Sequence, residues 1–230
     1  MSNELVNADF AQRVVIATDT MPWIPSPQAG VERRLLDRIG GEVARATSLV
    51  RYAPASAFPA HSHALGEEFL LLSGAFSDER GDYAAGTYVR NPPRSRHTPR
   101  TAPGCTILLK LRQMKPTEGK RVVIDSTKAV WKLADPKGLI RLPLYLASDT
   151  GESVTLEQML PGTHLIEANQ PGGEEIFVLS GELSDQHGSY GAGTWIRSPA
   201  GCRSGFGSRS GATYWAKRGH LRPDVMTGKQ

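Results

Sequence analysis

Apolar residues along this chain gather in short runs closed by glycine or proline, and sustained helical spacing is rare. Phe69, Leu70, Leu71 and Leu72 form one such run, which Gly74 closes, and residues 77–82 read as the turn that follows. Thr87, Tyr88 and Val89 begin the next extended segment after Gly86. Pro92 and Pro93 interrupt it, because proline cannot donate to a strand ladder, and residues 106–110 return as a further strand. Only residues 31–38 admit a short helix. The pattern predicts an all-β protein. So many short antiparallel strands leave exposed edges unless the sheet closes, so an antiparallel β-barrel or jelly roll is expected.

The same pattern occurs twice. Arg13, Val14, Val15 and Ile16, with Trp23 beyond them, recur as Arg121, Val122, Val123, Ile124 and Trp131 at an offset of 108. From Pro54 onward the offset becomes 107 without gaps: Gly66, Glu67 and Glu68 match Gly173, Glu174 and Glu175, and Ser73 and Gly74 match Ser180 and Gly181. Gly86, Arg90 and Pro92 match Gly193, Arg197 and Pro199 in the same way. The polar segment 112–120, with Pro116 and Gly119, separates the copies, so domains of 1–115 and 120–230 are expected. Residues 218–230 are expected to form a loose tail.

Charge narrows the function classes. Twenty-seven Lys and Arg against 23 Asp and Glu give a net +4, but the basic residues are scattered, as on a solvated surface, so no nucleic-acid partner is expected. Residues 1–17 carry Glu4 and Asp9 and lack a signal-peptide core, and no run approaches the roughly 18 apolar residues of a membrane span. No membrane association and a cytoplasmic location are expected. Cys105 and Cys202 lack C-x-x-C spacing and read as reduced thiols.

One constellation carries chemistry. His61 and His63, one residue apart in an extended segment, point to the same face. Glu67 follows a turn at residues 64–66, and His97 lies beyond the Pro92 break. Three imidazoles and a carboxylate on an inner wall suit one divalent metal ion: Zn or Fe(II), with Mn or Ni also compatible. Without an ion, the same groups would be buried with lone pairs unmatched. The second copy holds Ala168, Gln170 and Ser204 at the three histidine positions, so no tight metal is expected there. Glu174 persists at the position of Glu67, which weakens the ligand assignment of Glu67 relative to the histidines. Strand alternation sends Glu68 to the opposite face. His164, His187 and His220 read as turn or surface histidines, and the basic cluster Arg90, Arg94, Arg96 and Arg100 around His97 reads first as solvated surface and fold support.

These residues resemble the cupin motifs. His61, His63, Glu67 and Gly74 are similar to H-x-H-x3-E-x6-G, and Gly86, Pro92 and His97 to G-x5-P-x4-H. Ala55 and Arg94 stand where the motifs have glycine, and Thr101 where the second has asparagine. Pro22 and Trp23, the run from Ala46 to Tyr52, and the stretch from Gly86 to Pro93 resemble more narrowly the ChrR-type cupin family, over nearly the whole chain. The resemblance implies a tandem double cupin related by internal duplication, with a metal site in the first copy and a degenerate second copy. It implies a metal-dependent dioxygenase-type protein acting on a small carbonyl compound. The alternative is a zinc-containing regulatory or stress-sensing module related to the anti-sigma factor ChrR. No segment resembles the ChrR sigma-binding domain, so a sigma-factor partner is not expected. Catalytic residues are not assigned, and no cofactor other than the ion is expected. A small-molecule ligand and either a homodimer or a pseudo-dimeric monomer are the expected partners.

Overall fold

The computed structural model describes residues 4–41, 43–134 and 137–221. They form β-strands with a single 3-10 turn at Thr18–Thr20, so no helix among them is long and apolar enough to cross a membrane. The expected short helix at 31–38 is instead the strand Val31–Ile39. A bulge between Leu35 and Asp37 breaks its alternation and buries Leu35 and Leu36 together, which hides the two-residue period.

The chain divides into two compact units. One comprises the segment ending at Ala8 together with Pro22–Ala129, and the other Asp9–Met21 together with the chain from Val130 onward. In the first, the main sheet runs Leu5–Val6, Val31–Ile39, Arg45–Tyr52, Cys105–Leu111, Glu67–Asp78, Thr87–Asn91, Val122–Asp125. In the second, the corresponding order is Lys132–Ala134, Leu139–Leu146, Ser153–Met159, Ala212–Arg218, Glu174–Asp185, Thr194–Ser198, Val14–Ala17. The last strand of each sheet comes from the opening motif of the other copy. Val122 and Val123 lie opposite Arg90 and Val89, just as Val14 and Val15 lie opposite Arg197 and Ile196. Because the two motifs are the same sequence, either fits either sheet edge, and the exchange leaves no trace in the residue pattern.

Each unit has its own apolar core. Val50, Phe69, Leu71, Val89, Ile107 and Leu109 anchor the first, and Ile176, Val178, Ile196, Tyr214 and Ala216 the second. Gly74 ends the apolar half of its strand with φ +76°, and a Cβ there would stand 2.0 Å from the Gly104 carbonyl oxygen. The expected loose tail is packed as far as it is described: Arg218 ends a strand, and His220 and Leu221 are buried. Residues 222–230 of that tail lie outside the described residues.

Candidate metal centre

The three histidines share a two-stranded ribbon in which His61–His63 pairs antiparallel with Ser95–His97. The register sets His97 opposite His61, and alternation turns His63 to the same face. Ring centroids lie 4.8 to 5.0 Å apart and the rings are inclined at 70–75° to one another. Nε2 of His63 and Nε2 of His97 are 3.0 Å apart. Two donors each about 2.1 Å from one ion and about 90° apart have that separation. The cluster could therefore hold a metal ion, and one donor nitrogen from each ring lies within 4.8 Å of the others.

Glu67 starts the strand Glu67–Asp78, directly after Gly66 in left-handed conformation, and its Oε2 lies 3.6 Å from Nε2 of both His63 and His97. The structure brings His61, His63 and His97 into one cluster and sets Glu67 beside His63 and His97. The centre is graded in depth: His97 and Glu67 are buried, His63 is half-buried and His61 is exposed, so access is from the His61 side.

Second partners set the histidine tautomers. Nδ1 of His61 lies 3.0 Å from the Pro59 carbonyl oxygen, an acceptor only, so it carries the proton and Nε2 keeps its lone pair. Nδ1 of His97 faces Oδ2 of Asp78 at 3.6 Å, and both atoms are buried without a hydrogen bond. Burial lowers the pKa of His63, reinforced by His97 and His61 and opposed by Glu67, so this imidazole is held neutral with a lone pair to offer. Burial first, then the charges of Glu67 and Cys105, push the Tyr52 phenol far up, keeping it protonated.

Asn91 Nδ2 donates to Glu67 Oε2 at 3.0 Å, and among the described residues no Lys or Arg pairs with this buried carboxylate. The second copy shows what the same carboxylate does with a cation beside it. Leu111 and Arg218 are the cross-strand neighbours of Glu67 and Glu174 respectively. Arg218 Nε donates to Glu174 Oε1 at 2.6 Å, and Ser204, at the position of His97, donates to Glu174 Oε2 at 2.6 Å. A guanidinium thus balances Glu174. The persistence of this glutamate in both copies then has a reason other than the fold: each needs a positive partner, and the donor set around Glu67 fits a metal ion in that role.

Other sequence expectations resolve individually. Glu68 points away from the histidines and pairs with Arg90, which also receives Glu118 at 2.6 Å. Arg90 is fully buried, so the basic cluster is no single surface; Arg94, Arg96 and Arg100 are exposed. His164 and His187 are exposed as expected, but His220 is not a surface residue: it is buried, with Nε2 2.8 Å from Glu175 Oε1. Cys105 and Cys202 are free thiols, and Cys105 is packed in the first core. Sequence reasoning missed Asp78, Asn91 and Tyr52. Asp78 stood only within the turn expected at residues 77–82, and Tyr52 and Asn91 only within the stretches that resemble the ChrR-type family, with no role attached.

Among curated proteins nothing matches. Solved structures share the fold at low identity. A candidate dioxygenase from Nostoc punctiforme aligns with a TM-score of 0.77 at 18% identity, covering 94% of this chain and 86% of that one. A candidate glyoxylate-induced protein from Pseudomonas aeruginosa gives 0.73 at 14%, covering 96% and 92%. Bacillus subtilis oxalate decarboxylase, a protein with Mn(II) centres, gives 0.57 at 10%, covering 90% and 77%. The sequence matches the ChrR cupin-like domain twice, over residues 11–115 and 119–222, and these two matches span nearly all of it. With the duplicated antiparallel barrels and the histidine ribbon already on the first copy, the chain is a bicupin of the ChrR cupin-like family.

Proposed function

We propose that the first barrel holds one divalent metal ion through His61, His63, Glu67 and His97 and acts as a metal-dependent dioxygenase on a small carbonyl compound. The observation that carries the metal reading is Glu67, buried between two Nε2 atoms and balanced by no Lys or Arg among the described residues. An uncompensated buried carboxylate costs several kcal/mol, and a cation shared with the imidazoles removes that cost. When bound, such an ion supplies Lewis-acid polarisation of a carbonyl and, if it is Fe(II), redox chemistry toward dioxygen.

The residues of the chain supply the rest. His61, exposed at the mouth, leaves the approach open to a small ligand, while buried His97 and Glu67 close the floor. Phe76 lies 6.0 Å from the His97 ring and 6.1 Å from Tyr52, so the deep side is walled by aromatic surface that excludes water. Tyr52 keeps its proton and can donate a hydrogen bond without ionising.

In its oxidant-sensing form the regulatory alternative would need a group that reports an oxidant. Burial pushes the Cys105 thiol up to about 11, against a smaller opposing effect of Thr101, so at neutral pH it is an unreactive core thiol. This counts against oxidant sensing through Cys105. The test is metal analysis of purified protein followed by oxygen-uptake assays of the iron-loaded form with small diketones and hydroxylated aryl ketones. About one equivalent of metal per chain, absent when His61, His63 and His97 are all changed to Ala, and oxygen uptake dependent on iron are expected. Retained zinc with no uptake on any of these compounds would support the regulatory module instead.

A further inference from the structure

The second barrel lacks the three imidazoles but keeps a chamber of about 380 Å³, within the size range of small-molecule sites. Leu139, Leu165 and Phe206 form apolar wall, and Ile166, 88% exposed, stands on the rim. An aliphatic side chain so exposed beside an apolar chamber offers surface that a ligand would cover.

The polar lining decides the ligand. Glu157, beneath the lining arginines, accepts from Arg141 Nε at 2.8 Å, Arg218 Nη1 at 2.7 Å, Tyr214 at 2.7 Å and Thr155 at 2.9 Å. Glu174 is taken up by Arg218 and Ser204. Each carboxylate is therefore paired with Arg218 and has both oxygens hydrogen-bonded, and Arg218 engages them through Nε, Nη1 and Nη2. The donors left over are the Nη groups of Arg141, whose only described bond runs through Nε, and the side-chain amide of Gln170, which makes no hydrogen bond among the described residues. A chamber with spare donors, its lining carboxylate already paired with a guanidinium, and apolar walls selects a ligand whose head accepts and whose body is apolar. A guanidinium fork held by its Nε matches a carboxylate best, because it can offer two parallel N–H groups.

We infer that the second barrel is a metal-independent binding site for small monocarboxylic acids with an aliphatic or aromatic body, with Arg141 as the carboxylate receptor. The site rests on the second barrel alone and does not depend on the metal reading of the first.

The test is calorimetric titration of the full chain with benzoate and hexanoate, using benzamide as the neutral counterpart. Both acids are expected to bind and benzamide to bind at least about tenfold more weakly. Arg141→Gln should lower the affinity for both acids by about tenfold or more. Because Arg141 also holds Glu157, Ala168→Trp provides a second variant that fills the chamber without removing any member of the ionic cluster, and it should abolish binding. The chain with His61, His63 and His97 all changed to Ala should bind both acids as the unmodified chain does. The inference is overturned by equal binding of benzamide and benzoate, by no binding of either acid up to about 10 mM, by unchanged binding in Ala168→Trp, or by loss of binding in the triple histidine variant.

Discussion

Arg121 Nε donates to the side-chain oxygen of Asn91 at 3.0 Å, and this bond determines which way the Asn91 amide faces. With Oδ1 committed to Arg121, Nδ2 must point to Glu67, which it reaches at 3.0 Å. Arg121 opens the motif of the second copy but belongs to the first unit, so the exchanged strand Val122–Asp125 carries an orienting group into the candidate metal centre. Partners of this kind typically contribute about 10- to 100-fold to metal affinity. Asn91→Ala is therefore expected to weaken metal binding by that factor while leaving all four proposed ligands in place. Chelator competition measures it; an unchanged affinity would show that Glu67 needs no orientation.

Buried Glu67 is expected to make the metal-free protein less stable than it would be with a neutral side chain there. Removing metal with a chelator should lower the melting temperature, and saturating metal at about 100 times Kd should restore about 2.7 kcal/mol. Glu67→Gln should reverse the sign of the comparison: without metal the variant melts higher than the unmodified chain, because a neutral amide is cheaper to bury, and with metal it gains less. Calorimetric melting of both proteins with and without metal checks this. A variant that melts lower in both conditions would mean that Glu67 acts through the fold.

How much of this was legible beforehand varies with the distance over which a residue acts. The H-x-H pair was readable because strand alternation alone places both rings on one face, and the repeat was readable because its glycines stand at turns. Asn91, Asp78 and Arg121 were not, because their roles depend on which strand lies next to which, and spacing along the chain does not carry that. The strand Val31–Ile39 was obscured by its bulge. Glu174 was readable as a residue but misleading as a control, since its counter-charge, Arg218, lies 44 residues away.

Two departures from the motifs are backbone strain. Ala55 has φ +57° and Arg94 φ +66°, whereas their counterparts in the second copy, Gly162 and Gly201, adopt φ +76° and +80° without a side chain. A left-handed non-glycine residue costs roughly 1–2 kcal/mol, and glycine returns roughly half of that as lost chain entropy. Ala55→Gly and Arg94→Gly are each expected to stabilise the protein by about 0.5–1 kcal/mol, raising the melting temperature by about 2 °C. Arg94 is exposed and its backbone N–H bonds the His63 carbonyl oxygen at 2.8 Å, so Arg94→Gly should leave metal content unchanged. A fall in melting temperature for both variants would count against strain at these sites.

Glu157 ties the second barrel to pH. Burial alone would raise its pKa, but the charges and hydrogen bonds of Arg218, the charge of Arg141 and the hydrogen bond from Tyr214 overcome burial and hold it at about 2. In the unfolded chain this carboxyl titrates near its ordinary value of 4.5. The folded state therefore binds the proton less readily, so its stabilisation is complete above that ordinary value and is lost as pH falls toward about 2. The difference corresponds to roughly 3 kcal/mol of stability at neutral pH. Glu157→Gln removes the titration and, by leaving Arg218 and Arg141 with less charge to face, should be less stable at pH 7. Denaturant unfolding as a function of pH is expected to show the two proteins converging between about pH 5 and pH 2 as the unmodified chain loses its advantage. Parallel curves across that interval would mean that the carboxylate at Glu157 is not what the two arginines are held by.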